Sequence, residues 1–184
     1  VLGEAGTGKS ALVRRIAAEA SDVGDWVSLQ LRIPTGTDPL RRVASALLDL
    51  AGTAGLAAAR EKRIAGLLGR VESVATSGLS LSLRSPEEPE AYTALTELLV
   101  EVGRAALGAG VMVVLHLDEV QNLDDRHALS QVLIALGDAL TYEQRVEAPG
   151  AVRFERALPI AVFLTGLPEF TDMAGARTGA TFAR

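Results

Sequence analysis

Gly3-Glu4-Ala5-Gly6-Thr7-Gly8-Lys9-Ser10 satisfies every fixed position of the pattern G-x-x-x-x-G-K-[ST]. It stands between the apolar pair Val1–Leu2 and a run from Lys9 to about Ala20 in which Leu12, Val13, Ile16 and Ala17 recur at helical spacing. Glycines at these places let the chain turn so that successive N–H groups point inward, and the following helix adds the positive end of its dipole. Such a loop holds nucleotide phosphates. Gly3, Glu4, Ala5, Gly6, Thr7, Gly8, Lys9, Ser10 and Ala11 are therefore the expected phosphate-binding residues. Lys9 would reach the β and γ phosphates, and Ser10 would give its hydroxyl to Mg²⁺. The bland alternative is a Gly-rich turn that fits by accident; with Lys9 and Lys62 the only lysines, a chance match is rare.

Outward from the loop, Trp26–Ile33 is rich in apolar and β-forming residues and exits at Pro34, Gly36 and Pro39, as a strand would. Asp38-Pro39 is an N-cap with proline at the first helical position, and Leu40, Val43, Ala44, Leu47, Leu48 and Leu50 carry an apolar stripe to Gly52. Residues 53–85 read as an insertion, with a short helix near Arg60–Leu68 and a strand-like alternation of Leu79, Leu81 and Leu83 with serines. Ser85-Pro86-Glu87-Glu88 opens a helix to about Leu107. Val111–Leu117 is a strand buried on both faces, a helix covers about Asp124–Leu140, a polar loop containing Pro149–Gly150 follows, and Ile160–Leu164 is a further buried strand ending at Thr165–Gly166. Strands alternating with helices specify an α/β fold with a parallel sheet.

The Val111 strand ends in Asp118-Glu119. An Asp there holds Mg²⁺ through water and the adjacent Glu polarises the attacking water; a solvated acidic strand end is the plainer alternative. A base at Glu119 favours hydrolysis over transfer to a small molecule, since a kinase excludes water and surrounds the transferred group with arginines. Guanine recognition needs Asn-Lys-x-Asp, and Lys62 stands in Glu61-Lys62-Arg63-Ile64, so ATP is preferred by elimination.

Three stretches, GEAGTGKS at 3–10, VVLHLDEVQNL at 113–123 and LPIAVFLTGLPEF at 158–170, resemble ATPases of the AAA+/STAND group of P-loop NTPases, closest to origin-recognition-type and archaeal-type members. The resemblance implies a three-layer α/β/α sandwich of strand order 5-1-4-3-2, with this chain stopping before the fifth strand and lid. It also implies that Thr165 is a polar sensor acting in catalysis beside Lys9 and Glu119, with Ser10 and Asp118 at the metal. A trans-acting arginine would fall between the fourth and fifth strands, where Arg177 and Arg184 lie, although each reads first as a surface residue. Gln121 and Asn122 read first as capping or solvated residues, with a contact to the γ-phosphate or a neighbouring subunit as the alternative.

Composition narrows the partners. The 184 residues carry 18 Lys+Arg against 23 Asp+Glu, a net charge of −5, with 48% hydrophobic residues. That describes one globular domain over 1–184 with a single core. Zero cysteines exclude disulfides, thiolate metal sites and cysteine nucleophiles, and His116 and His127 are too few for an imidazole metal centre. His116 reads as a core or supporting residue, Trp26 as core, and the pairs Arg14–Arg15 and Arg41–Arg42 as helix surface. No signal-peptide pattern opens the chain, and no apolar run reaches the length of a membrane span. The expectation is a cytoplasmic fragment of a larger protein that binds ATP and ADP and has no membrane contact. A homo-oligomer is admitted, and DNA or a protein partner would be reached through flanking domains. The expected role is an ATP-hydrolysing motor or switch domain; a slow-turnover nucleotide-dependent module and a small-molecule kinase are the alternatives.

Overall fold

Gly8, with φ 81°, turns the chain in the left-handed region and starts helix α1 (Lys9–Asp22) without any side-chain cap. The computed structural model describes residues 1–34, 36–54, 66, 69, 91–122, 126–148 and 152–168. Within the apolar stripe expected for α1 only Val13 is fully buried, and Leu12 is 52% exposed.

After α1 the chain forms β1 (Trp26–Val27) and β2 (Leu31–Arg32), where one continuous strand is expected. Both lie parallel to the same edge of β3 (Val113–Asp118): Val27 is level with Val114 and Leu31 with Leu117. Four steps on one side therefore oppose three on the other, so one extra residue is accommodated between the two pieces as a bulge. Leu29 is pushed to 87% exposure there. The break costs little pairing, because the Ser28 amide still donates to the Val114 carbonyl at 2.9 Å.

Helix α2 (Pro39–Thr53) begins as its sequence specifies. The Asp38 carboxylate accepts from the amides of Leu40 at 2.9 Å and Arg41 at 3.3 Å, with Pro39 in the first turn. Helix α3 (Ala91–Ala109) runs to Gly110, whose φ of 74° ends it. The Ser85–Glu88 start expected for it lies outside the described residues, as do the short helix near 60–68 (apart from residue 66) and the alternation at 79–83 expected of the 53–85 insertion. Helix α4 (Arg126–Thr141) follows β3 and a 3-10 turn at Val120–Asn122.

The chain from 143 to 157 departs from the expected polar loop. Strands β4 (Glu143–Ala148) and β5 (Val152–Ala157) form an antiparallel pair in a sheet of their own. Its charges are arranged across the strands: Arg145 meets Glu155 at 3.6 Å and Arg153 meets Glu147 at 2.9 Å, while Val146 faces Phe154. The base is fixed to α3, where Arg104 donates to Gln144 at 2.8 Å and lies 5.2 Å over the Tyr142 ring. A two-stranded ribbon has no buried face of its own to announce it, so its charged alternation resembles a solvated loop.

Strand β6 (Ile160–Thr165) pairs in parallel with β3 along its whole length, from Val113–Ile160 to Asp118–Thr165. On its far side Leu2 forms a parallel bridge with Gly166. All six residues of β3 are buried. Val113, Leu115 and Leu117 join the main core with α2, α3 and α4, so Val114, His116 and Asp118 face the other way, toward α1. That alternation puts the two carboxyl-end groups of the sheet, Asp118 and Thr165, in front of the phosphate-loop motif. Among the described residues no helix is long and apolar enough to cross a membrane.

The core predicts its own sensitivity. Leu98 of α3 is fully buried, and Leu98→Ala is expected to lower unfolding free energy by about 2–5 kcal/mol. Gly52 is a helical glycine with open space around it, and Gly52→Ala is expected to raise stability by about 0.5–1 kcal/mol. Urea denaturation of the two variants checks both signs.

Candidate functional site

The loop 3–8 is shaped by backbone requirements more than by crowding. Gly6 and Gly8 have φ of 79° and 81°, and a Cβ at either would meet nothing within 4 Å, so glycine is selected there for its left-handed conformation. Thr7 Oγ1 donates to the Glu4 carbonyl at 2.9 Å and tightens the turn. The Lys9 ammonium folds back over the loop and donates to the carbonyls of Gly3 at 2.6 Å and Glu4 at 2.7 Å. Because no side chain caps α1, the first-turn amides remain available to an anion.

This loop forms one wall of a cavity of about 430 Å³, within the size range of small-ligand sites. Ala5, Gly6, Gly8, Lys9, Ser10 and Ala11 line it from the loop side, and Asp118 and Glu119 from the end of β3. Gly3, Glu4 and Thr7 do not line it; they support the loop through the bonds just described. Arg14, Gln121, Gly166 and Leu167 complete the lining. Arg14, expected on the helix surface, donates through Nε to the Ser10 carbonyl at 3.2 Å, which lays its side chain back toward the amino end of α1.

Asp118 is the centre of the polar contacts. Its side chain is almost entirely buried, and Ser10 Oγ donates to Oδ1 at 3.0 Å, with Thr165 Oγ1 donating to the same oxygen. Gln30 Nε2 donates to Oδ2, and Arg32 Nε lies 3.9 Å from that oxygen. Burial alone would raise the Asp118 carboxyl pKa, but hydrogen bonds from Thr165, Ser10 and Gln30 and the nearby imidazole outweigh it, and the group sits below its ordinary value. It is a carboxylate at neutral pH.

Behind Thr165 is His116, buried in β3, with Nε2 2.9 Å from Thr165 Oγ1. The Thr165 hydroxyl has one proton, and it goes to the carboxylate, so Thr165 accepts from an Nε2–H and the imidazole is in that tautomer. Burial lowers the His116 pKa more than the Asp118 charge raises it, with Arg14 and the chain's first amino group lowering it further. A neutral imidazole thus supports the hydroxyl that supports the carboxylate.

Glu119 is the one non-glycine described residue with positive φ, at 62°. That strained turn leads from β3 into the 3-10 segment, whose amides gather on the Glu119 carboxylate: Gln121 Nε2 donates to Oε2 at 3.3 Å and Asn122 Nδ2 to the same oxygen at 3.4 Å. Gln121 Oε1 in turn accepts from the Leu167 amide at 3.1 Å.

The structure brings Lys9, Ser10, Asp118, Glu119 and Thr165 together at one end of the sheet. Arg177 and Arg184 lie outside the described residues, and so does the side chain of His127. Sequence reasoning missed Gln30 altogether: its position opposite Asp118 depends on the extra residue in the bulge, which no local pattern signals. It also missed Arg14 as a lining residue, although its spacing of four from Ser10 on a helix was a readable clue.

Among the described residues no group of three or more His, Asp or Glu side chains is arranged to hold a metal ion by itself. A divalent cation here would take most of its ligands from phosphate and water, as Mg²⁺ does, and the hard oxygens of Ser10 and Asp118 fit that minor protein share.

A glycine-built loop leading into an uncapped helix, facing a buried acid at the end of a parallel strand, is the arrangement of the P-loop NTPase class. The chain belongs to the AAA ATPase domain family, which it matches over residues 1–146. ATP binding and hydrolysis are the functions that family suggests. No curated protein and no solved structure shows a significant match to it.

Gly166 marks the tightest packing in the site. A Cβ there would lie 2.8 Å from Gln121 Oε1 and 2.9 Å from Val120 Cγ2. Gly166→Ala is expected to destabilise by about 1–3 kcal/mol, measured by urea unfolding; a neutral result would mean that the 3-10 turn yields freely.

Proposed function

We propose that this domain binds Mg·ATP in the cavity under the phosphate loop and hydrolyses it to ADP and phosphate, acting as the switch or motor element of a larger AAA+ protein. The observation that carries the reading is the Ser10–Asp118 hydrogen bond at 3.0 Å, which joins the two expected nucleotide motifs across the sheet. When bound, Mg²⁺ would draw charge from the β and γ phosphates and orient them. In this reading Ser10 would offer the cation its hydroxyl oxygen while its O–H donates a hydrogen bond to Asp118, whose carboxylate would hold water bound to the metal.

Lys9 has two carbonyl acceptors that cost little to exchange for phosphate oxygens, since all are hydrogen-bond acceptors within reach of one flexible stem. Glu119 lines the same cavity and takes a proton from water as its oxygen bonds to the γ-phosphorus. The bond from that phosphorus to the β–γ bridging oxygen breaks, and the electron pair leaves with ADP. Thr165 reports the state of the site to β6 through its bond to Asp118. The neighbours Leu2, β6, β3 and the β1–β2 edge fit the 1-4-3-2 part of the order 5-1-4-3-2, which supports the AAA+/STAND placement.

The slow-turnover reading differs only in rate. The two side-chain amides that donate to Glu119 hold its carboxylate at the cavity it lines, and an acid held there supports hydrolysis over mere occupancy.

Lys9→Ala is expected to weaken Mg·ATP binding at least tenfold in a calorimetric titration; unchanged affinity would remove the loop from the account. Glu119→Gln should keep affinity while turnover falls roughly 10²-fold or more. Activity that survives that substitution would require another base, and a wild-type protein that binds ATP but barely turns it over would support the slow module.

A further inference from the structure

Gln121 has two partners that fix its orientation. The Leu167 amide can only donate, so the Gln121 side-chain oxygen faces it at 3.1 Å, and the NH₂ group is left to donate to Glu119 Oε2 at 3.3 Å. A flipped amide would set N–H against N–H and oxygen against carboxylate. The amide therefore spans two elements: the residue that follows β3 and the segment that follows β6.

That second segment is tied to the nucleotide site twice. Thr165, two positions before Leu167, donates to Asp118. Gly166, between them, bridges to Leu2 at the root of the phosphate loop. Gly166 also has no room for a side chain because Gln121 and Val120 fill the space where a Cβ would go. A shift at the end of β6 is thus passed to Gln121 by direct contact and by hydrogen bond.

The amides of Gln121 and Asn122 both engage Oε2 of Glu119, and neither engages Oε1. One oxygen is held, and the other accepts from neither amide, on a residue that lines the cavity. We infer that Gln121 is a positioning residue: it sets the Glu119 carboxylate for proton abstraction and makes that setting depend on the end of β6. This rests on the reading of Glu119 as the base. Asn122 donates to Glu119 but makes no bond to β6, so it holds the carboxylate without coupling it.

The test uses the full-length protein and four forms: wild type, Gln121→Met, Glu119→Gln and the double variant. Gln121→Met keeps the length of the side chain and removes both hydrogen bonds. Single-turnover hydrolysis of Mg·ATP and binding of a fluorescent ATP analogue are measured for each. The expected result is a fall in the single-turnover rate constant of roughly tenfold to a hundredfold for Gln121→Met, the scale set by ångström-level misplacement of a reacting group, with analogue affinity within twofold of wild type. In the Glu119→Gln background the same substitution should change the rate less than twofold, because no base remains to be oriented.

A fall of equal size in both backgrounds would mean a structural role and overturn the inference, as would a loss of affinity in step with rate or an unchanged single-turnover rate constant. Should Glu119→Gln alone leave turnover intact, the base assignment fails first, and Gln121 has nothing to position. Gln121→Asn, one methylene too short to span both partners, replaces Gln121→Met if the latter does not fold, with the same outcomes expected.

Discussion

A single hydrogen bond, Ser10 Oγ to Asp118 Oδ1, joins positions 108 residues apart, and the chemistry of the site depends on it. Neither partner reaches the other by local structure. Ser10 is placed by a loop whose two left-handed glycines turn the chain into α1, and Asp118 by the register of β3 with β6 on one side and β1–β2 on the other. A slip of one residue in β3 would send Asp118 to the opposite face and leave Leu117 in front of the loop. The buried faces of β3 prevent that slip, because Val113, Leu115 and Leu117 belong to the core formed with α2, α3 and α4.

A nearly buried carboxylate is costly unless its oxygens are fully engaged. Here Ser10 and Thr165 serve one oxygen, and Gln30, with Arg32 farther off, serves the other. His116 extends the chain one step deeper by donating to Thr165. The arrangement fixes the direction of every proton in the series, from imidazole to hydroxyl to carboxylate. Charge at Asp118 is thereby held in place, and the side chain is oriented by the protein's own donors. Preorganisation of this kind is what allows a site to stabilise developing charge without reorganising at the moment of reaction.

Much of this was legible in the sequence for definite reasons. Gly6 and Gly8 are demanded by backbone angles, so their spacing from Lys9 and Ser10 survives as a readable pattern. The unbroken apolar run before Asp118 announced a strand covered on both faces, and Asp38–Pro39 announced the start of α2. Gln30 was silent, because its contact with Asp118 arises from an inserted residue in an edge strand. Leu12 misled, since its helical spacing matched Val13 and Ile16 although its side chain is largely exposed. The β4–β5 ribbon was invisible for a related reason: Arg145, Glu147, Arg153 and Glu155 stabilise it across the strands, and charged residues in a row read as loop when the partner strand is not yet known. Glu119 was recognisable as an acid, but its strained backbone and its clamp by Gln121 and Asn122 appear only in three dimensions.

The most direct measurement is a crystal structure with Mg²⁺ and a non-hydrolysable ATP analogue. The triphosphate is expected in the cavity between the loop and the end of β3. Lys9 should have left the carbonyls of Gly3 and Glu4 for phosphate oxygens, and Ser10 should stand at the cation while still bonded to Asp118. An analogue bound elsewhere, or a cation approached by neither Ser10 nor Asp118, would contradict the account.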